Sequence, residues 1–340
     1  MAKSKTLIDQ ILDKYGENTI ITDRHSSIST GSIAMDVSMG IGGVPHGRYT
    51  EIYGPESGGK TTLCLSICKN ALMEGQKVLY VDVENSLHLP YAREIMGEYY
   101  DPESIIIVQP LSAEDSFEIA EAGMDAGRDL IIFDSIAAIA PTVELEEDDY
   151  EKMTIGIPSK KANLFLRKTA HKVRDNQIAV VFTNQVRANI GSYHGGFVTP
   201  IGYALKHYTS MRIYMSKGED MKNELDENGD PIGHFINFTI KKNKLGRPYR
   251  QAETALIYKK GINTVRDVIK FGSLLGVIQS RGSYYTFNEE TIGQGMAKSV
   301  ETLESDPERL DKIIKMCYNV AKVEYPPLRK GNYEQKYQDG

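Results

Sequence analysis

The stretch that most constrains the fold of this 340-residue chain is 54-GPESGGKT-61, which lies between an apolar run and a helical pattern. The spacing G-x-x-x-x-G-K-T, after a strand and before a helix, is typical of loops that bind phosphate groups. Its glycines allow successive backbone N–H groups to surround a phosphate, and the helix N-terminus adds a partial positive charge. We therefore predict a nucleotide site formed by Gly54, Pro55, Glu56, Ser57, Gly58, Gly59, Lys60, Thr61 and Thr62. Lys60 is expected to reach the β- and γ-phosphates, and the Thr61 hydroxyl to bind Mg²⁺.

Strand and helix patterns alternate on both sides of this loop. Short apolar runs separated by helical patterns indicate a parallel sheet with helices on both faces. The strands are expected at residues 49–53, 77–83, 105–108, 129–134 and 178–182, and the helices at 61–74, 114–127 and 160–175. Further strands are expected at 211–215, 235–241 and 253–258. The predicted fold class is therefore α/β, with a P-loop NTPase core around a mostly parallel central sheet.

The chain divides into four parts by pattern. We predict an N-terminal helix and linker over 1–30, the core over 31–260, a small α+β domain over 261–325 and a disordered tail over 326–340. In the small domain, helices are expected near 264–275 and 307–322. The N-terminal helix carries one apolar stripe, which either packs on its own core or on a neighbouring subunit: Leu7, Ile8, Ile11, Leu12 and Tyr15. The segment 226-DENGDPIG-233 lacks the distal Glu of a calcium loop, and Asn228-Gly229 predicts a hairpin turn there.

Two carboxylates are candidates for the chemistry of the phosphate site. Asp134 ends the apolar run 130-LIIFD-134, which brings an acid to the carboxyl edge of the sheet, where it can organise a metal ion. Glu84 follows the strand at 77–83 and can activate a water molecule, whereas Asp82 is expected to point back toward the sheet. Tyr91 either stacks on a base or covers a helix, and the pattern leaves both possibilities open.

Composition places the chain among soluble globular proteins. No apolar run approaches the ~20 residues of a membrane span, and the N-terminus has no signal-peptide pattern, so a cytoplasmic location is expected. The net charge of −6 argues against general polyanion binding. Two basic runs, at 160–187 and 241–250, are either a nucleic-acid stripe or solvated faces. Cys64 and Cys68 lie four residues apart in a helical pattern and are expected to be reduced core residues.

With these motifs in place, the chain resembles the RecA-family recombinases, in particular the bacterial type. The resemblance runs from about residue 7 to 310 and rests on several motifs in matching order: 28-ISTGSIAMD-36, 51-EIYGPESGGKTTL-63, 82-DVENSLHLPYAR-93, 131-IIFDSIAAIAP-141, 183-TNQVRANIG-191, 204-ALKHY-208, 241-KKNKLGRPYRQAE-253 and 292-IGQGMAK-298. It implies a RecA-like core that forms a helical homo-filament on single-stranded DNA, with ATP between adjacent subunits. The N-terminal helix would then pack on the next subunit.

The resemblance also implies roles for single residues. Glu84 matches the catalytic glutamate, Tyr91 matches the aromatic residue that stacks on adenine, and Lys242 and Lys244 match lysines that reach the ATP of the neighbouring subunit. Gln185, which either senses the γ-phosphate or only ends its strand, begins a long loop over 186–203. The implied DNA-binding residues lie in this loop, in a first loop over about 146–158 and on the helix that follows the first loop: Ile155, Gly156, Asn163, Arg167, Arg187, Ala188, Asn189, Ile190, Gly191, Gly202 and Tyr203.

The chain departs from the family pattern at several positions. His88 stands where the family usually has an aspartate that contacts the adenine, which bears on base selectivity. Asn189 replaces a typical lysine, and 197-FVTP-200 replaces a polar, threonine-rich segment. The acidic tail of many bacterial members is also lacking. Such divergence suits a phage- or plasmid-encoded member.

Three functions compete at this point. The first is a DNA-dependent ATPase that pairs single-stranded DNA with homologous duplex and exchanges strands, assisted by single-strand-binding or loader proteins. The second is a ring-forming motor such as a hexameric helicase, and the third is a filament scaffold without catalysis. The small C-terminal domain and 242-KNK-244 favour the first over the second. Lys60, Glu84 and Asp134 favour it over the third.

Overall fold

A large sheet with an antiparallel edge forms the centre of the molecule, in a computed structural model that describes residues 6–7, 13–14, 26–145, 156–188, 197–222 and 224–325. Strands are numbered in chain order, beginning with a short antiparallel pair outside this sheet, β1 (Ser27–Ile28) and β2 (Val44–Pro45). The strands of the large sheet in the described residues are β3 (Arg48–Gly54), β4 (Val78–Asp82), β5 (Ile105–Val108), β6 (Leu130–Asp134), β7 (Ala179–Gln185), β10 (Met211–Asp220), β11 (Gly233–Asn243), β12 (Gln251–Ile257) and β13 (Gly261–Ile262). They are arranged in the order β13-β12-β11-β10-β3-β7-β6-β4-β5. From β10 to β5 every neighbouring pair is parallel, and from β10 to β13 every pair is antiparallel. The predicted α/β class with a mostly parallel sheet is confirmed.

Helices cover both faces of this sheet. In chain order the described helices are α1 (Ile33–Met39), α2 (Lys60–Met73), α3 (Leu89–Met96), α4 (Ala113–Asp125), α5 (Thr142–Leu145), α6 (Ile157–Asp175), α7 (Gly202–Tyr208), α8 (Thr264–Leu274), α9 (Gly295–Glu304) and α10 (Pro307–Ala321). Apolar residues of α2 and α3 pack on one face of the sheet, and those of α4 and α6 pack on the other. Strands β4 and β6 are buried along their whole length, as parallel strands covered on both faces should be.

Short elements and the ends of strands differ from the sequence expectation. Strands β10 and β11 extend several residues beyond the predicted runs, because an antiparallel edge can continue in polar residues that face solvent. Helices α1, α3, α7 and α9 have at most ten residues each, too few for a sustained periodic pattern, and they were not predicted. The turn at 226–233 is a hairpin connection, with Gly229 at φ +85° and the Asp226 carboxylate accepting backbone N–H bonds.

The C-terminal module has its own hydrophobic core. Strands β14 (Gln279–Arg281), β15 (Tyr284–Phe287) and β16 (Glu290–Gln294) form an antiparallel sheet that packs with α8, α9 and α10. Ile33 and Val37 of α1 belong to the same cluster, so α1 joins this module to the rest of the chain. The predicted four-part division of the chain stays a prediction.

A buried carboxylate reinforces this junction. Asp36 of α1 accepts hydrogen bonds from the hydroxyl groups of Ser29 and Thr30, from the Thr30 backbone N–H, and from the Tyr318 hydroxyl of α10 at 3.0 Å. Asp267 of α8 likewise accepts from Ser32 and from the Ala34 backbone N–H. Burial raises the pKa of Asp36 to about 7, against the effect of its four donors. The contact between α1 and the C-terminal module is therefore polar at its centre and apolar around it.

Several expectations concern residues at the margins of the described chain. The predicted N-terminal helix lies mostly outside the described residues, of which Leu7, Asp13 and Lys14 are helical, and the predicted disordered tail over 326–340 lies outside them. No helix in the described ranges is long and apolar enough to cross a membrane. The three cysteines are free and buried, as expected for Cys64 and Cys68, and burial raises the pKa of each thiol.

The junction with the C-terminal module gives a first prediction. At pH 8, above the pKa of about 7 of Asp36, Tyr318→Phe removes one hydroxyl donor from an ionised buried carboxylate and should lower the free energy of unfolding by about 1.5–3 kcal/mol, the usual range for a bond to a charged group. Tyr284→Phe is the matched control, because Tyr284 is half exposed in the same module. Urea denaturation measures both. Equal stabilities of the two variants would contradict the role assigned to the Asp36–Tyr318 contact.

Candidate active site

The predicted phosphate loop connects β3 to α2 at the carboxyl edge of the sheet. Gly54 ends β3, and a Cβ there would lie 1.9 Å from the carbonyl oxygen of Met215 on β10, so only glycine fits. Gly59 is the N-cap of α2 with φ +80°, and no side chain caps the helix. The N–H groups of the first turn of α2 are therefore available to an anion, as the sequence predicted.

Three hydroxyl groups converge on the carboxylate of Asp134 at the end of β6. Thr61 Oγ1 and the Tyr80 hydroxyl donate to Oδ2 at 2.7 and 2.6 Å, and Thr183 Oγ1 donates to Oδ1 at 2.5 Å. The carboxylate is buried, so these bonds hold its oxygens in one orientation. The structure brings together the two residues, Thr61 and Asp134, that the sequence proposed as metal ligands.

Lys60 lies over its own loop. Its ammonium group donates to the carbonyl oxygens of Gly54 and Pro55, at 3.2 and 2.7 Å. Burial lowers the pKa of Lys60, and the nearby charges of Asp134 and Glu84 act in the opposite direction. A polyphosphate in the loop would supply a stronger partner for this cation than two carbonyl groups.

Glu84 and Gln185 contact each other although they are distant in sequence. The Gln185 amide Nε2 donates to Glu84 Oε1 at 3.1 Å, and both residues line the cleft above the phosphate loop. Asp82, the weaker candidate for the base, is buried and accepts from the backbone N–H groups of Ser86 and Leu87 and from Gln109. These bonds give Asp82 a structural role, so Glu84 is the carboxylate free to act.

The cleft has a volume of about 550 Å³ and a wall that the sequence did not reveal. Tyr91 lines it and exchanges a 2.8 Å hydrogen bond with Thr62. His234, Leu256 and Tyr258 line it from β11, β12 and the turn after β12. No motif contains these three residues, because only the register of the antiparallel edge carries them to the phosphate loop. His88 is exposed and does not line the cleft.

A buried ion pair joins two strands of the central sheet, one of which leads into the phosphate loop. Glu51 of β3 is fully buried and pairs with Arg212 of β10, whose guanidinium also lies over the Tyr53 ring. Asn184 of β7 donates to Glu51 Oε1 and to the carbonyl oxygen of Pro200, each at 2.9 Å. This network links three central strands to the far end of the loop that starts after Gln185. Sequence reasoning missed it, because none of its pairs is local.

Lys242 and Lys244 lie away from the cleft. Both ammonium groups donate to carbonyl oxygens at the C-terminal end of α7, Lys242 to Lys206 at 2.5 Å and Lys244 to His207 at 3.5 Å. Burial and the charge of Lys244 lower the pKa of Lys242 to about 8. The two lysines do not line the cleft of their own chain, which is consistent with an action on a neighbouring subunit.

The candidate DNA-binding residues that the structure describes lie on exposed helix faces and loop ends. Gly156 is the N-cap of α6, and Asn163 and Arg167 are exposed one turn apart on that helix. Gly202 begins α7, and Tyr203 is 93% exposed. Arg187 and Ala188 form β8 (Arg187–Ala188), which pairs with β9 (Phe197–Val198). Ile155, Asn189, Ile190 and Gly191 lie outside the described residues.

The basic run on α6 is largely neutralised within the chain. Three of its lysines pair with carboxylates of α4: Lys161 with Glu114, Lys168 with Glu121 and Lys172 with Asp125. Within the described ranges, no carboxylate pairs with Arg167. The apparent stripe of charge is thus mostly a paired helix face, and among the described residues it leaves Lys160 and Arg167 as exposed cations of α6 without a carboxylate partner, Arg167 beside Asn163.

Comparison with known proteins matches the whole architecture. The family described as "RecA N-terminal domain" matches residues 3–263, and "RecA C-terminal domain" matches residues 266–319. "Protein RecA" of Aquifex pyrophilus is 34% identical over 334 residues, which cover 96% of this chain and 94% of the relative. "Protein RecA" of Halalkalibacterium halodurans is 32% identical over 92% and 91% of the two chains. "Protein RecA" of Thermus aquaticus is 36% identical over 289 residues, which cover 84% of this chain and 83% of the relative.

The ion pair behind the site gives a second prediction. Arg212→Met leaves the carboxylate of Glu51 buried without its cation, which should lower the free energy of unfolding by about 3–5 kcal/mol. Lys217→Met is the matched control on the same strand, because Lys217 pairs with Asp220 in an exposed position, where water screens the pair, and should change the free energy of unfolding far less. Denaturant titration compares the two. Similar losses in the free energy of unfolding would show that the buried Glu51–Arg212 pair stabilises the fold no more than an exposed pair does.

Proposed function

The chain belongs to the RecA family, and from this premise we propose that it is an ATP-dependent homologous-recombination protein. It polymerises on single-stranded DNA, pairs that strand with homologous duplex, promotes strand exchange and hydrolyses ATP at subunit interfaces when DNA is bound. One observation carries the proposal: Lys60, Thr61, Asp134, Glu84 and Gln185 line a single cleft at the carboxyl edge of the sheet. Open α/β sheets bind their ligands at this edge.

The phosphates of ATP would be bound by the loop over 54–62. Backbone N–H groups of the loop and of the first turn of α2 face the anion, and Lys60 would exchange its carbonyl partners for the β- and γ-phosphates. Tyr91, whose hydroxyl pairs with Thr62, would stack on the base. Asp134 and Tyr91 line the same cleft, so these residues would hold the phosphates and the base of one nucleotide.

The residues at the end of β6 also fit Mg²⁺. This ion prefers oxygen ligands and keeps several waters, so it needs few groups from the protein besides phosphate oxygens. The Thr61 hydroxyl and the Asp134 carboxylate are 2.7 Å apart and supply such oxygens. Bound Mg²⁺ would neutralise charge that develops on the phosphates. Tyr80 and Thr183 keep the carboxylate oriented for this role.

Glu84 is the proposed general base. Its carboxylate is exposed to the cleft and accepts one bond from the Gln185 amide, which leaves oxygen lone pairs for an attacking water. The same amide can donate to a γ-phosphate. Gln185 ends β7 immediately before the 186–203 loop, so a change of its partner can alter the position of the DNA-binding loop. By linkage, DNA must then strengthen ATP binding by the same factor.

The lysines of 242-KNK-244 would complete the site of the adjacent subunit. In the part of the chain that the structure describes, their ammonium groups donate to carbonyl oxygens at the end of α7, and a phosphate is a stronger partner for an ammonium group. A nearby phosphate would also favour the charged form of Lys242, whose pKa burial lowers. Such cations in trans serve the role of an arginine finger.

DNA would be bound on the face that carries the two loops. Arg167 and Asn163 on α6 would contact the phosphate backbone, together with Arg187, Ala188, Gly202 and Tyr203 of the second loop. The proposed wedge at Ile155-Gly156, and Asn189, Ile190 and Gly191, extend this surface beyond the described residues. The proposal also includes a cytoplasmic location and single-strand-binding or loader proteins as partners. Neither the matched families nor the relatives named above give support to a hexameric helicase.

The role of Glu84 gives a third prediction. Glu84→Gln removes the base while keeping the shape, so ATP and DNA should still bind while turnover falls about 10²-fold or more. Glu94→Gln makes the same chemical change on the exposed face of α3 and should leave turnover unchanged. Steady-state hydrolysis with and without single-stranded DNA measures both. Near-normal turnover in Glu84→Gln would show that Glu84 is not the general base.

The shared site gives a fourth prediction. A Lys60→Ala protein mixed with a Lys242→Ala/Lys244→Ala protein forms some interfaces that have an intact loop on one side and intact lysines on the other. The mixture should therefore show more DNA-dependent hydrolysis than either protein alone. As control, a protein with all three changes mixed with Lys60→Ala cannot form an intact interface. A mixture no more active than its components would contradict catalysis in trans.

A further inference from the structure

One wall of the cleft contains a histidine that the proposed chemistry does not use. His234 stands at the start of β11, which is antiparallel to β10 and so begins at the same edge where β3 and β6 end. It lines the cleft together with Leu256, Tyr258 and Tyr91. These residues form the wall that a nucleoside would contact once its phosphates occupy the loop.

One nitrogen of this histidine has no partner. His234 is only 5% exposed, and its Nδ1 lies 3.2 Å from the Tyr258 hydroxyl. Its Nε2 is buried and makes no hydrogen bond with any residue that the structure describes. Three other buried side-chain atoms in the described ranges share this property, in Thr50, Thr254 and Arg309, but none of those residues lines the cleft. A buried polar atom without a partner is costly, so Nε2 at a ligand site suggests that the ligand completes it.

The imidazole is suited to a neutral hydrogen bond. Burial lowers the pKa of His234, and the charge of Lys217 acts in the same direction while Asp220 opposes it. A neutral imidazole has one donor and one acceptor nitrogen, and the Tyr258 hydroxyl engages Nδ1. The terminal torsion of histidine is broad, so a modest rotation of the ring can turn Nε2 toward a bound molecule.

We propose that His234 determines which nucleotide the chain accepts, by a hydrogen bond between Nε2 and the base of the bound nucleoside triphosphate. The inference rests on the proposed function, because it takes a nucleoside triphosphate as the ligand of the cleft. The aliphatic face of Leu256 and the ring of Tyr91 can pack on any base, since every base has a π-face. The hydroxyl groups of Tyr91 and Tyr258 already contact Thr62 and His234, whereas Nε2 has no partner among the described residues, so its hydrogen bond can distinguish one base from another.

The test compares ligands with and without a base. Affinities for ATP, UTP and tripolyphosphate are measured by calorimetry for the wild type, His234→Phe and His234→Gln. The phenyl ring keeps the packing but has no nitrogen, so ATP affinity should fall roughly tenfold, the scale of one buried hydrogen bond. Tripolyphosphate affinity should stay within about twofold by the same reasoning, because it has no base. The preference for ATP over UTP should fall by a similar factor, and glutamine, which places an amide near Nε2, should restore part of it.

Other results would overturn the inference. Unchanged ATP affinity in His234→Phe would contradict the hydrogen bond between Nε2 and the base. Equal losses of affinity for ATP and tripolyphosphate would show that His234 has only a structural role. A uniform loss for ATP and UTP would move the contact from the base to the ribose. If His234→Phe does not fold, His234→Gln is compared with His234→Asn, whose amide lies near Nδ1 instead, and equal ATP affinities would overturn the proposal.

The phosphate site is tested separately in the same experiment. Lys60→Ala should weaken ATP and tripolyphosphate alike, because it acts on the phosphates. If Lys60→Ala leaves both affinities unchanged, the phosphate-binding function fails. If Lys60→Ala behaves as expected and His234→Phe does not, only the assignment of His234 fails.

Discussion

The carboxylate of Asp134 is the group on which the arrangement of the cleft depends. Its three hydroxyl donors come from β4, α2 and β7, so the carboxylate connects the phosphate loop to two strands of the sheet. A buried carboxylate needs such donors, because a polar group removed from water without partners is costly. The same bonds that make Asp134 tolerable in the core also orient it. The same three hydrogen bonds therefore stabilise the edge of the sheet and orient the carboxylate in the cleft.

Features that depend on neighbouring residues in sequence could be predicted. The phosphate loop, the strands that end at Gly54 and Asp134, and the long helices α2, α4 and α6 all follow from local patterns, and the structure contains them. Features that depend on register could not. His234 and Tyr258 reach the cleft only because β11 and β12 pair with a particular alignment, and the Gln185–Glu84 contact joins residues 101 positions apart. Short helices such as α1 and α7 were also missed, since their stability comes from tertiary packing rather than from periodicity, with a Ser32 cap in addition for α1.

The distribution of charge illustrates the same limit. The basic run at 160–187 could be either a DNA-binding stripe or a solvated face, and sequence favoured neither. The structure divides it, since Lys161, Lys168 and Lys172 face carboxylates of α4 while Arg167 does not. Net charge along a helix is local information, but the sign of the field above it depends on what packs beside it. A count of lysines and arginines therefore overstates the number of cations available to a nucleic acid.

The bond from Asn184 to the Pro200 carbonyl has a consequence for how the second loop can vary. The two residues are sixteen positions apart, and β8 and β9 pair between them, so the loop is closed at its base by the protein itself. Once the ends of a loop are held together, each doubling of its length adds only about 0.6 kcal/mol of closure entropy. The tip can therefore gain, lose or exchange residues with little effect on the folded core. Closure at the base thus lets the length of this loop vary while the sheet edge at Asn184 and Gln185 keeps its fold.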